Sequence, residues 1–73
     1  MNQSKNSDNH LNYKLISIRE VMLITGLSRT TIYRKVRDDN FPKPINLSGS
    51  VRWYKNEVEE FISSLPRVVY WVN

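Results

Sequence analysis

The segment Arg29–Arg37, RTTIYRKVR, packs four cations, two threonines and a tyrosine into nine residues with no acid among them. Arginine can pair bidentately with guanine or with a phosphate, and a threonine methyl can contact thymine. On a helix that turns ~100° per residue, Ile32 and Val36 define one buried side. Thr30, Arg34 and Arg37 fall opposite, spaced i, i+4, i+7. Thr31 flanks that stripe on one edge, and Arg29 and Tyr33 lie nearer the other. The pattern is that of a helix with one stripe for docking and one for a polyanion, and it places Thr30, Thr31 and Arg34 at base edges. Arg29 is assigned to base or phosphate, and Tyr33 and Arg37 to the backbone. Tyr33 reads equally well as half core, and Lys35 as a simple surface charge. Ser28 with the free amides of the helix start can hold a phosphate. Lys43 and Arg52 are expected in a hairpin wing that reaches an adjacent backbone or minor groove.

Other chemistry has little to work with. The only histidine, His10, sits in the polar stretch MNQSKNSDNHLN, and there is no cysteine. No phosphate-cradling glycine loop, nucleophile elbow or metal-ligand spacing is present. Glu57, Glu59 and Glu60 read as a surface that complements a helix dipole rather than as a metal or acid–base pair. The chain is therefore read as a binding protein without enzymatic activity, cofactor, metal or small-molecule ligand.

The elements that must carry this stripe are legible from local signals. Ser17 and Glu20 form an S-x-x-E capping box, with Ile16 and Val21 as its hydrophobic staple. Ile18, Val21, Met22 and Thr25 then mark one buried helix face. Gly26 suits a left-handed C-terminal cap, and Ser28 restarts a helix with Leu27 and Ile32 as a second staple. So short a link makes a helix-turn-helix. FPKP forbids continuation. INL, SGS and VRWY follow as two short β runs. Pairing Leu47 with Val51 through a three-residue loop, Ser48 to Ser50, sets Ile45 opposite Trp53 on one face. Trp53 is assigned to the core rather than to a base-stacking platform. A third helix is expected over about 55–64, with Val58, Phe61, Ile62 and Leu65 as its apolar stripe and Pro66 as its stop. The fold class is mainly α with a small β-hairpin.

With 73 residues the chain makes one small domain, of a size that buries only about 60% of its unfolded surface. The expected organisation is a flexible polar tail over 1–12, a folded unit over 13–65 and an apolar tail over 66–73. The opening residues do not resemble a leader peptide, and no apolar run is long enough for a membrane; a cytoplasmic, nucleoid-associated bacterial protein is expected. Net charge is +4, but Ser28–Lys55 holds seven cations and two acids, whereas the remainder holds four cations and five acids. Charge of one sign confined to one part of a small domain points to a polyanion such as DNA.

In order and spacing, E-V…T-G-L-S-R-x-T-I-Y, F-P-K-P and V-R-W…E-V resemble the AlpA-type family of small phage and prophage regulators and excisionases. The resemblance implies a winged helix-turn-helix related to the MerR DNA-binding domain. It implies recombination directionality, in which the protein binds and bends attachment-site DNA together with a tyrosine integrase. It also implies transcriptional control, with double-stranded DNA as partner. A domain this small covers few base pairs, so specificity needs repeated sites, self-association on DNA or cooperation with the integrase. Two positions depart from the family pattern. Met22 stands where a small residue is common, and SGS lacks the arginine often found in that wing turn. The N-terminal stretch and RVVYWVN are taken to lie outside the matching part. The alternatives are a transcriptional regulator alone, or an adaptor or inhibitor that binds protein through the aromatic tail. That tail is expected to close the core as a strand, or otherwise to dock on a second protomer or another protein.

Overall fold

The computed structural model describes residues 13–69. In chain order they form β1 (Leu15–Ile16), α1 (Ile18–Thr25), α2 (Arg29–Arg37), β2 (Ile45–Leu47), β3 (Ser50–Tyr54) and α3 (Lys55–Ser63). Three helices surround a small antiparallel sheet of order β1-β3-β2, an arrangement compatible with a winged helix-turn-helix.

The helix boundaries follow the capping chemistry. Ser17 Oγ accepts the Glu20 N–H at 3.3 Å and Glu20 Oε1 accepts the Ser17 N–H at 3.2 Å, which completes the capping box of α1. Gly26 ends α1 at φ 75°, and its N–H donates to the Met22 carbonyl at 2.8 Å. A β-carbon is disfavoured in that conformation. Thr25 adds a clip: its hydroxyl donates to the Val21 carbonyl at 2.8 Å and accepts the Leu27 N–H at 3.1 Å. The turn into α2 is thus held by a side chain as well as by the glycine.

The core is assembled from nearly every element. Ile16, Val21, Ile32, Trp53 and Val58 are each 2% exposed or less, and Phe41 joins them from the link after α2. Ile18, Met22, Leu27, Val36, Phe61 and Ile62 pack partly buried around this group. The stripes expected on α1 and α2 are therefore those that face inward. On α3, Leu65 departs from the expected stripe, since it lies beyond the helix and is half exposed.

Trp53 is the largest buried side chain. Its indole N–H donates to the Pro42 carbonyl at 2.8 Å, and its ring lies 6.0 Å from that of Tyr33 on α2. Phe41 meets Phe61 of α3 edge to face at 5.2 Å, a favoured arrangement of two ring quadrupoles. The FPKP link is therefore fastened to β3 and to α3.

The hairpin register differs from the expectation. Ile45 pairs with Arg52, Asn46 with Val51 and Leu47 with Ser50, across a two-residue loop. Ser48 at φ 52° and Gly49 at φ 88° both adopt positive φ, the requirement of a type I′ turn, whose twist matches that of the flanking strands. The Asn46 side chain also accepts the Gly49 N–H at 2.8 Å. The expected register assumed that Ile45 must share the face of Trp53. Instead β2 contributes no buried residue: Ile45 is half-buried and Leu47 exposed. With no core demand on β2, turn geometry sets the pairing. A further strand went unforeseen, because β1 is only two residues long and exists through Leu15 pairing with Tyr54 and Ile16 with Trp53.

The described part of the C-terminal tail does not close the core. Val68 and Val69 are exposed and form no strand. Residues 70–73 and the N-terminal stretch 1–12 with His10 lie outside the described residues.

Trp53→Phe keeps an aromatic ring but loses the fused five-membered ring and the donor to the half-buried Pro42 carbonyl. The void and the unpaired acceptor together cost about 1–3 kcal/mol. A lowered urea midpoint with an unchanged slope is the expected outcome.

Candidate nucleic-acid interface

Helix α2 is docked through Ile32, which is fully buried, and through half-buried Val36, Lys35 and Thr31. This leaves Arg29, Thr30, Tyr33, Arg34 and Arg37 facing outward, gathered around one shallow depression of about 470 Å³. The structure therefore brings together the stripe and its Arg29–Tyr33 edge on one surface. Among the described residues, Arg29, Thr30 and Arg34 make no side-chain hydrogen bond or ion pair, so their donors are available to a ligand. Arg37 is engaged at the edge, where its Nε meets Asp38 Oδ1 at 3.2 Å, although its side chain remains 71% exposed. Tyr33 divides as expected, with its ring against Trp53 and about a third of its surface in solvent.

The N-terminal residues are arranged differently from the exposed stripe. Ser28 Oγ accepts the Thr31 N–H at 3.2 Å, and its hydroxyl donates to Thr31 Oγ1 at 3.0 Å. The two side chains are turned toward each other as a cap. The first turn of α2 carries no acid, so its amide ends and Arg29 present an uncancelled positive edge.

The C-terminal end of α2 holds two residues whose structural work was not apparent from sequence. The Asp39 N–H donates to the Val36 carbonyl at 3.1 Å, and the Asn40 N–H donates to the Lys35 carbonyl at 2.7 Å. With Asp39 at φ 62°, this is a Schellman cap with aspartate at the position usually held by glycine. Lys43 belongs to the link before β2 rather than to the hairpin. Its ammonium meets Asp39 Oδ1 at 2.7 Å and donates to the Val36 carbonyl at 3.1 Å. The only sequence signal was an aspartate directly after a helix, since aspartate tolerates the left-handed region better than most residues. Arg52 stands on β3, half-buried, and donates to the Val51 carbonyl at 2.8 Å. Neither Lys43 nor Arg52 joins the depression on α2.

Residues 14–72 match the family model described as prophage CP4-57 regulatory protein (AlpA). The match runs through the tail to residue 72, so RVVYWV lies inside the family's extent and not outside it as expected. Over 51 residues the chain is 37% identical to the uncharacterized protein ORF88 of enterobacteria phage P4, which covers 68% of this chain and 58% of that relative. The chain thus spans less than two thirds of the curated relative it matches. No solved structure matches it significantly. Among the described residues no helix is long and apolar enough to cross a membrane.

The hydrogen bond from Lys43, with its charge, holds the Asp39 carboxyl below its ordinary value of 3.8. A carboxyl lowered in the folded state contributes stability above its unfolded value, and that contribution is lost as pH falls through the lower folded value. Asp39→Asn keeps a residue tolerant of positive φ but removes the charge. Melting curves of wild type and variant should differ at neutral pH and converge as pH drops below the ordinary carboxylate range.

Proposed function

This chain belongs to the AlpA family of prophage regulatory proteins, a family of small DNA-binding domains, and from that premise we propose that it is a sequence-specific DNA-binding protein of a prophage or genomic island. In this reading it acts as an excisionase that binds and bends attachment-site DNA beside a tyrosine integrase, and as a transcriptional regulator. It works in the bacterial cytoplasm on the nucleoid, with no catalytic step, cofactor or small-molecule ligand of its own.

The observation that carries the reading is the outward face of α2. Arg29, Thr30 and Arg34 stand free of intrachain polar partners among the described residues, on a helix held from behind by Ile32. A helix so presented fits the major groove, and arginine and threonine supply its base-reading chemistry. Thr30, Thr31 and Arg34 take the base edges, with Arg29 at a base or a phosphate; for half-buried Thr31 this means turning from Ser28 to the DNA. Ser28, Tyr33 and Arg37 take the sugar–phosphate backbone, which fixes register without conveying sequence, and Lys43 and Arg52 reach an adjacent backbone or minor groove. For Lys43 this means leaving Asp39 or serving both groups. One domain of this size covers few base pairs, so repeated sites, self-association or the integrase must supply the remaining specificity.

A selection of source-genome fragments on the immobilised protein, followed by sequencing, tests the proposal. Clustered repeats beside an integrase gene and attachment site support excision, and promoter sites alone support a regulator only. No enrichment over random DNA contradicts both.

On an enriched site, Arg34→Ala should cost about 1–3 kcal/mol and relax the preference at one base position. Arg37→Ala should weaken all sequences about equally and lower the log–log salt slope by about 1. Titrations of both variants at several salt concentrations read the contrast; equal behaviour would mean that the recognition face is misassigned.

A further inference from the structure

The start of α2 is tied to α1 through one hydroxyl. Thr25 ends α1 and is half-buried. Its hydroxyl donates to the Val21 carbonyl at 2.8 Å and accepts the Leu27 N–H at 3.1 Å. Among the described residues, the Leu27 N–H has no other acceptor. Leu27 packs partly buried against the core and directly precedes Ser28, the N-cap of α2. The hydroxyl thus spans the left-handed turn at Gly26 and fixes the residue from which α2 departs. Gly26 permits the turn, but a glycine alone does not fix its angle.

The far end of α2 is held by other means. The Asn40 N–H donates to the Lys35 carbonyl, and Lys43 joins Asp39 to the Val36 carbonyl. The Pro42 carbonyl accepts the Trp53 indole N–H. None of these bonds passes through Thr25. Without the hydroxyl, the Leu27 N–H loses its partner and regains one only by turning toward water. That movement tilts the first turn of α2, Arg29 to Thr31, while the Arg37 end stays in place.

We propose, on the DNA-binding reading of α2, that Thr25 is a positioning residue for base recognition. It sets the angle at which the start of α2 is presented and so governs site preference without touching DNA. Base edges are read by directional hydrogen bonds, whereas phosphate contacts carry no sequence information. A tilt about the Arg37 end therefore costs preference and spares general affinity.

Full-length wild type, Thr25→Val and Thr25→Ser, titrated with the selected site and with a random duplex, test this through the ratio of the two affinities. Partial unfolding lowers both affinities by the same factor, so the ratio reads presentation rather than stability. Thr25→Val keeps the branched shape but has no hydroxyl. It should lower the ratio by about 5- to 150-fold, the worth of one base contact, with random-duplex affinity little changed. Thr25→Ser keeps the hydroxyl and should hold the wild-type ratio. Residual dipolar couplings of the free proteins should show α2 tilted relative to α1 in the valine variant and not in the serine one. Thr25→Ala makes the same cut should valine not fold. An unchanged ratio without the hydroxyl, a serine variant that behaves like valine, or an untilted α2 would overturn the proposal. Failure of both valine and alanine variants to fold would make the hydroxyl purely structural and overturn it too. A wild type with no preference of its own would instead overturn the DNA-binding reading, and the proposal with it.

Discussion

The structure depends on the burial of Trp53 and on what its indole N–H must do once buried. An indole donor left unpaired in a core is costly, and the Pro42 carbonyl is the partner that removes the cost. That single bond joins β3 to the link that follows α2. The same ring supports Tyr33 from beneath, and its strand pairs with both β1 and β2. Helix α2 and the hairpin are therefore referred to one side chain. Among the described residues one core cluster does this work, as suits a domain of this size.

The two ends of α2 are fixed by opposite means, and the difference shapes the interface. At its start, Ser28 and Thr31 satisfy each other and leave the positive end of the helix without an acid. At its close, Asp39 occupies a left-handed position where glycine is usual, and Lys43 gathers both that carboxylate and the Val36 carbonyl. Acid is thus confined to the far end, where it is tied to Lys43 or to Arg37. The exposed arginines nearer the start, Arg29 and Arg34, carry no ion pair among the described residues.

What could be read from sequence divides along the range of the interactions. The capping box at Ser17, the stop at Gly26, the restart at Ser28 and the inward stripe of Ile32 and Val36 are contacts three or four residues apart, and each stands where its local pattern put it. The strand β1 is invisible by the same logic, because two residues acquire a strand only by pairing with distant Tyr54 and Trp53. The wing register was misread because apolar Ile45 was assumed to need burial, although β2 lies outside the core and obeys its turn. Of the site, the outward grouping of Arg29, Thr30, Tyr33, Arg34 and Arg37 was legible as a helical stripe. The engagement of Lys43 was not, since it rests on an aspartate adopting a conformation that sequence seldom assigns to it. Nor was the outward course of Val68 and Val69, which hydrophobicity alone would have placed inside.

The central claim is that the outward face of α2 reads DNA while the rest of the domain positions it. Amide chemical-shift mapping of the isotope-labelled protein, titrated with a duplex containing its selected site, tests this most directly. The account predicts that the largest perturbations fall on Arg29, Thr30, Tyr33, Arg34 and Arg37, with Glu57, Glu59 and Glu60 of α3 almost unmoved. Perturbations concentrated on α3 with α2 silent would contradict it.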